Sequence, residues 1–184
     1  TAKIWDAADG TELVTLKEHG GDVQSVAFSP EGRRVVTGSG DKTAKIWDAA
    51  SGTELLTLKG HGGYVYSVAF SPDGRRVVTG GEGPVRIWDA AAGTELMTLE
   101  GHADFVASVV FSRDGRRLMT GSSDKTAKIW DAASGVELLT LKGHERSVTS
   151  VVFSPDDRRV VTGSWDQTAK LWDASSGQEI LTLR

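Results

Sequence analysis

The chain has 184 residues, of which 39% are hydrophobic, and a net charge of −4. It has no cysteine, which excludes disulfides and zinc–sulfur or thiolate chemistry and leaves the redox compartment open. The charge argues against nucleic-acid binding, because nucleic-acid binders usually present a basic surface. No apolar run approaches the roughly 20 residues that a membrane helix needs, and we expect a cytoplasmic protein without a cofactor.

A repeated unit dominates the sequence. Its tryptophan lies at Trp5, Trp47, Trp88, Trp130 and Trp172, which are 41 or 42 residues apart. A histidine recurs at the same spacing, at His19, His61, His102 and His144. A fixed period of this length is typical of repeat architectures, in which each unit packs against its neighbours.

Each unit predicts four short strands, labelled a to d in chain order. In the unit at 18–59 they are "VQSVAFS" (23–29), "RRVVTGS" (33–39), "TAKIWDA" (43–49) and "TELLTLK" (53–59). Turns rich in Gly, Pro, Asp and Ser separate them, a pattern that favours an all-β fold. Residues 1–17 supply strands c and d only, and the complete first to fourth units occupy 18–59, 60–100, 101–142 and 143–184.

Three recurrent motifs connect the chain to a known family. "GH" at 60–61, "SPDG" at 71–74 and the repeated "WD" make the chain similar to the WD-repeat β-propellers. The resemblance covers essentially the whole chain and implies four-stranded antiparallel blades around a channel, about four and a half of them here. Family propellers usually close with about seven blades. The array is therefore either part of a longer closed propeller or half of a homodimer that completes one ring around a two-fold axis.

The resemblance also assigns a role to the recurrent polar residues. In the family, a histidine before strand a, a threonine or serine on strand b, an aspartate in the b–c turn and the strand-c tryptophan form a buried hydrogen-bonded network. The matching positions are His19, Thr37, Asp41, Trp47; His102, Thr120, Asp124, Trp130; and His144, Thr162, Asp166, Trp172. In the first unit Ser39 is an alternative to Thr37. A set copied from unit to unit is typical of structure rather than of a catalytic triad. No metal site is expected, because each histidine belongs to a different unit.

The second unit departs from this pattern. "TGGEGPVRIWD" (79–89) is one residue shorter than "TGSGDKTAKIWD" (37–48), lacks the turn aspartate and has a proline near the start of strand c. We expect His61 and Trp88 to lack an acidic partner there. The unpaired donors should make this unit less stable by about 1–3 kcal/mol.

Chain connectivity places the starts of the a strands and the b–c turns at one end of every sheet, here called the b–c end. The V-x-x-V-x-F spacing of strand a breaks a period of two and predicts a bulge. Aromatic residues at this end that sibling units lack favour a binding surface. The candidate partner-binding residues are Tyr64, Tyr66, Phe105, Trp165, Asp22, Gln24 and Thr149. The alternative for Trp165 is that it fills a gap against a neighbouring sheet.

The opposite end, which carries the a–b and c–d turns, is rich in arginine. Pairs occur at Arg33-Arg34, Arg75-Arg76, Arg116-Arg117 and Arg158-Arg159. Acidic neighbours such as Glu31 and Asp73 predict solvated ion pairs, and a site for RNA or another polyanion is the alternative.

These features predict a non-enzymatic scaffold or sensor module that binds a peptide or protein at the b–c end. The alternative is a self-assembling array whose main role is to form a closed ring. An enzyme is not expected, because no acid–base pair or metal-ligand cluster stands apart from the repeat. The near-identity of the units, which is frequent in bacterial members of the family, suggests a bacterial source.

Overall fold

The computed structural model describes residues 1–184, and the chain contains strands and turns only. The strands are β1 (Ala2–Trp5), β2 (Glu12–Leu16), β3 (Val23–Phe28), β4 (Arg34–Ser39), β5 (Thr43–Asp48), β6 (Glu54–Lys59), β7 (Val65–Phe70), β8 (Arg76–Gly81), β9 (Val85–Asp89), β10 (Glu95–Leu99), β11 (Val106–Phe111), β12 (Arg117–Ser122), β13 (Thr126–Asp131), β14 (Glu137–Lys142), β15 (Val148–Phe153), β16 (Arg159–Ser164), β17 (Ala169–Asp173) and β18 (Glu179–Leu183). The all-β prediction is confirmed, and the strands predicted in 18–59 agree with β3 to β6 to within one residue at each end. No helix that could cross a membrane is present.

The strands form one two-stranded sheet, β1–β2, and four four-stranded antiparallel sheets in chain order. The first to fourth sheets comprise β3–β6, β7–β10, β11–β14 and β15–β18. Local turn chemistry explains this meander. In the c–d turn of the first sheet, Asp48 Oδ1 accepts the backbone N–H of Ser51 at 2.8 Å, and Gly52 has a φ of 72°. The aspartate side chain and the left-handed glycine together close a tight turn.

The bulge predicted in strand a is present. In the second sheet the pairing of β7 with β8 shifts register between Val65 and Ser67. The N–H of Val68 is donated to Ser25 Oγ of the first sheet at 3.2 Å. The same bond joins Val109 to Ser67 at 3.1 Å. The a strands of neighbouring sheets are thereby hydrogen-bonded to one another.

The core lies between neighbouring sheets rather than within one sheet. Val36, Ile46 and Leu58 of the first sheet are buried in one cluster with Val65 and Trp88 of the second. Equivalent clusters lie between the second and third sheets and between the third and fourth. Each sheet therefore depends on its neighbours for stability, as expected of a repeat array.

The two ends of the array expose apolar residues of the kind that the internal interfaces bury. In the fourth sheet Val152, Leu181 and Leu183 are 50%, 49% and 54% exposed. In the first sheet Val26 and Phe28 are 57% and 55% exposed, beside the two-stranded sheet. The array of sheets is not closed.

The second arginine of each of the first three pairs links neighbouring sheets. Arg34 donates from Nη1 to the carbonyl of Ala90 at 3.0 Å and from Nη2 to that of Gly74 at 2.7 Å, and it stacks over Phe70 with 5.3 Å to the ring centroid. The guanidinium groups of Arg76 and Arg117 are held in the same way by the next sheet.

The prediction of ion pairs at this end holds for Arg34, whose Nε lies 3.1 Å from Glu31 Oε1. It is wrong for the other arginines of the four pairs, because none of them has a side-chain nitrogen within 4.0 Å of a carboxylate oxygen. Carbonyl groups of the neighbouring sheet are the better acceptors for the second arginine of a pair, because packing between the sheets brings these carbonyls within reach of the N–H donors of its guanidinium group.

Candidate functional site

The first sheet contains a chain of hydrogen bonds between side chains. Trp47 Nε1 donates to Thr37 Oγ1 at 2.8 Å, and Thr37 Oγ1 lies 2.6 Å from His19 Nε2. His19 Nδ1 lies 2.7 Å from Asp41 Oδ2. Because an indole N–H can only donate, the threonine hydrogen is free for His19 Nε2, and the histidine hydrogen on Nδ1 is donated to Asp41.

Asp41 also organises the surrounding loops. Its carboxylate accepts hydrogen bonds from the backbone N–H of Gly20 at 2.9 Å and from the Thr43 hydroxyl at 2.6 Å. Burial alone would raise the pKa of the Asp41 carboxyl, but the hydrogen bonds from Thr43, His19 and Gly20 outweigh burial and lower the pKa to about 2. The aspartate is therefore a charged anchor that ties the loop before strand a to the b–c turn.

The third and fourth sheets repeat this arrangement. His102 lies 2.7 Å from both Asp124 and Thr120, and His144 lies 2.7 Å from both Asp166 and Thr162. Trp130 and Trp172 donate to the same threonines at 2.9 Å.

The strand-b member is the threonine. In the first sheet Ser39 Oγ accepts the backbone N–H of Asp41 at 3.1 Å instead of contacting the histidine. Thr37 has no exposed surface, and its oxygen is engaged by both Trp47 and His19. A hydroxyl in that state cannot reach a substrate, so the arrangement stabilises the fold rather than forming a triad. No group of three His, Asp or Glu side chains that could hold a metal ion is present.

The second sheet holds an incomplete version of the network. Trp88 donates to Thr79 at 2.8 Å, and Thr79 lies 2.6 Å from His61 Nε2. His61 Nδ1 is buried and has no hydrogen-bond partner in the protein. Glu82, which follows strand b, does not replace the missing aspartate, because it contacts the Tyr64 N–H and the Tyr66 hydroxyl instead.

The charge state of His61 follows from this environment. Burial lowers its pKa, and the positive charge of Arg86 lowers it further, to about 4. The histidines of the other sheets each have a carboxylate within hydrogen-bond distance, which His61 lacks. His61 is therefore neutral at neutral pH and keeps an unpaired donor.

Three of the candidate binding residues form one aromatic cluster at the b–c end. The ring centroids of Tyr64 and Tyr66 are 5.9 Å apart, and those of Tyr66 and Phe105 are 5.1 Å apart. The Tyr66 hydroxyl donates to Glu82 Oε1 at 3.3 Å, and burial, followed by the Glu82 charge, raises the pKa of the Tyr66 phenol. Tyr64 is 44% exposed. Contact between rings at these distances is favourable for aromatic pairs.

A groove of about 710 Å³ borders this cluster, between the second and third sheets. The shortened b–c turn of the second sheet, at 82–84, forms one wall. The loop before strand a of the third sheet, at 100–105, forms the other. The lining of the groove includes three carboxylates, those of Glu82, Glu100 and Asp104, and no lysine or arginine.

Trp165 lies apart from the aromatic cluster. Its side chain is 66% exposed, and its backbone N–H is donated to the carbonyl of Ser147 at 3.0 Å. The equivalent residue of the first sheet is Gly40, whose Cβ position would lie 3.3 Å from the ring of Tyr64 in the second sheet. The position therefore faces the following sheet, and no sheet of this chain follows the fourth. The predicted gap-filling contact with a neighbouring sheet is accordingly not seen for Trp165.

The remaining candidates are dispersed along the b–c end. Asp22 and Gln24 are exposed at the start of strand a in the first sheet. Thr149 is half-buried, and its hydroxyl lies 3.4 Å from the carbonyl oxygen of Gly163. The structure brings none of the three into the aromatic cluster.

Sequence reasoning missed the acidic side of the groove. Glu100 stands where the other units carry Lys17, Lys59 and Lys142, and Asp104 stands where they carry Gly21, Gly63 and Arg146. Comparison between units would have found both residues, because each departs from the repeat in the same way as the aromatic residues.

Comparison with known families agrees with this architecture. A family model described as "WD domain, G-beta repeat" matches the chain four times, over residues 10–48, 52–89, 93–131 and 135–173. Each match ends on the aspartate that follows a strand-c tryptophan. A search of curated proteins finds no match.

Proposed function

Because the chain belongs to the WD-repeat family, we propose that it is a non-enzymatic scaffold or sensor module that binds a peptide or protein at its b–c end. Repeats of this family generally mediate protein–protein interactions. The observation that carries the proposal is the aromatic cluster of Tyr64, Tyr66 and Phe105 beside the groove. Tyrosine and other aromatic side chains dominate binding hot spots, and the repeat itself does not require these three.

The remaining candidate residues extend this surface in the proposal. Asp22, Gln24, Thr149 and Trp165 would contact the parts of a partner that lie beyond the groove. An extended segment suits such a surface, since it can place a few anchoring side chains and hydrogen-bond its backbone along the way.

A random heptapeptide library displayed on phage tests the proposal. The wild-type chain should enrich a set of peptides that Tyr66→Ala fails to retain. Leu138→Ala is the matched control, because Leu138 is 48% exposed on a d strand, away from the b–c end. Enrichment that survives both Tyr66→Ala and Trp165→Ala would show that the aromatic residues are not the binding surface.

A second candidate function is self-assembly of the array. The fourth sheet presents Val161 and Leu171, the counterparts of Val36 and Ile46, which the second sheet buries in the first interface. The first sheet offers exposed Val26 and Phe28, the counterparts of Val68 and Phe70 in that interface. The fourth sheet therefore carries one half of an interface that the chain already forms internally, and the first sheet carries the strand-a part of the other half, because β1–β2 already covers Val35 and Trp47. Such a contact is heterologous, and it yields a ring if it closes.

Light scattering on a size-exclusion column, at several protein concentrations, tests this candidate. Self-assembly predicts a stable mass near twice the 19.6 kDa of the chain. A monomer at all concentrations would exclude it and leave the binding module.

A further inference from the structure

The groove between the second and third sheets has an unusual charge for this protein. Glu82, Glu100 and Asp104 line it, and none of the three forms an ion pair within the chain. Asp104 Oδ1 accepts the backbone N–H of Phe105 at 2.8 Å, which holds one carboxylate next to the aromatic cluster. Glu82 Oε1 is 3.3 Å from the Tyr66 hydroxyl on the other side.

The repeat does not account for these acidic residues. Sibling units carry glycine, serine or tryptophan at the position of Glu82, lysine at that of Glu100, and glycine or arginine at that of Asp104. The corresponding loops before the fourth sheet carry Lys142 and Arg146, so the equivalent position there has the opposite charge. Three acidic replacements and one aromatic replacement, Phe105, thus line one groove, and Tyr66 contacts Phe105 from beside it.

The groove also lies beside the incomplete hydrogen-bonded network of the second sheet. The deletion in the 82–84 turn removes the network aspartate and leaves His61 Nδ1 without a partner, and this shortened turn forms one wall of the groove. Places where a protein departs from its own local rules are often functional sites.

We propose that this groove binds an arginine side chain of a basic partner segment, with the guanidinium on Phe105, the member of the aromatic cluster that lines the groove, and its charge met by Glu82, Glu100 and Asp104. This inference rests on the proposed function and names the partner's chemistry. A guanidinium is planar, stacks on aromatic faces and donates two parallel hydrogen bonds to a carboxylate. A lysine ammonium would gain the charge attraction without the stacking and the paired hydrogen bonds.

Isothermal titration of three synthetic peptides tests the proposal. The probes are Ac-Gly-Arg-Gly-Arg-Gly-NH2, the same peptide with lysine in place of arginine, and the same peptide with citrulline, the neutral analogue of arginine that keeps its shape. The arginine peptide should bind more tightly than the lysine peptide, and the citrulline peptide should bind about tenfold more weakly or not at all. The affinity for the arginine peptide should also fall as salt is raised.

Protein variants locate the site. Glu100→Lys installs the residue that sibling units carry and should weaken the arginine peptide about tenfold or more. Glu82→Gln combined with Asp104→Asn should have a similar effect without changing side-chain shape. Glu145→Gln is the control, because Glu145 is exposed at the same end, forms no ion pair and lies outside the groove.

The outcomes separate this inference from the proposed function. Equal binding of the arginine and citrulline peptides would overturn the proposal of a basic partner. Equal affinity of Glu100→Lys and the wild type for the arginine peptide would also overturn it. A phage library enriched through Tyr66 for peptides without arginine or lysine would overturn it too, while leaving the binding module intact. No enrichment of any peptide would overturn both.

Discussion

A Cβ atom on Gly121 would lie 2.8 Å from Cγ1 of Val151, so strand b of the third sheet meets strand a of the fourth with no room for a side chain. In the first sheet a Cβ atom on Gly38 would likewise lie 2.9 Å from Cγ1 of Val68, the counterpart of Val151. Gly163 holds the equivalent place in the fourth sheet, where a Cβ would meet only Ser150 Cβ, at 3.7 Å. The glycine is therefore a requirement of the interface rather than of strand b.

Gly121→Ala should lower the free energy of unfolding by about 1–3 kcal/mol, because the extra methyl group pushes two packed sheets apart. Gly163→Ala should change it by less than about 0.5 kcal/mol. Urea denaturation followed by circular dichroism measures both. Equal losses would show that the close contact with Val151 is unimportant. If the chain assembles through the fourth sheet, Gly163→Ala should weaken the dimer and lower the average mass measured by light scattering.

The arginines of the a–b and c–d turns give a second matched pair. Arg117 donates to the carbonyl of Ala174 at 3.1 Å and stacks over Phe153, whereas Arg159 is exposed and has no following sheet to contact. Arg117→Ala should cost about 1–3 kcal/mol of stability through lost hydrogen bonds and stacking. Arg159→Ala should cost less than about 0.5 kcal/mol. Thermal unfolding measures the difference. A loss of similar size in Arg159→Ala would show that the contacts of Arg117 with the next sheet do not stabilise the protein.

Repair of the second sheet should stabilise the protein. Replacing residues 82–84 with the Ser-Asp-Lys-Thr of 123–126 restores the missing residue and supplies an acceptor for His61 Nδ1. The free energy of unfolding should rise by about 1–3 kcal/mol, because a buried unpaired donor gains a charged partner. The control carries alanine in place of the new aspartate and should show no such gain. The repaired chain should also bind the arginine peptide more weakly, because it lacks Glu82 and its longer turn changes one wall of the groove.

The protonation of His61 predicts a pH dependence. Its pKa of about 4 in the folded chain lies below the ordinary value of 6.5, so the unfolded chain binds a proton more readily. The stability is therefore fully present above pH 6.5 and decreases as the pH falls towards 4, by up to about 3 kcal/mol. Nuclear magnetic resonance titration of the His61 ring measures the pKa directly. A value near 6.5 in the wild type would contradict the buried, unpaired state.

The repaired chain provides the control for this titration. Its new aspartate should raise the His61 pKa, because a carboxylate beside an imidazole favours the protonated form. The decrease in stability between pH 6.5 and 4 should shrink accordingly. An unchanged pKa would show that the new carboxylate does not reach His61.

Much of the fold could be predicted because its signals are local. Turn residues such as Asp48 and Gly52 and the alternation within each strand are read over a few neighbouring residues. Because the residue types of Trp47 and His19 recur every 41 or 42 residues, the strands predicted for one unit could be assigned to the whole chain. Membership of the hydrogen-bonded network followed from matching motif positions, but the choice between Thr37 and Ser39 did not. Both lie on the same strand, and only the position of His19 in space distinguishes them.

The sequence by itself determined the strands, the period and the aromatic residues that the repeat does not need. The tertiary structure decided which of those residues meet. Tyr66 contacts Phe105 across two sheets, whereas Trp165 stays separate, and Arg117 reaches a carbonyl of the next sheet rather than an adjacent acid. The physical reason is that the core lies between sheets. Burial, pairing and charge at any position therefore depend on residues about 40 positions away, which local patterns do not report.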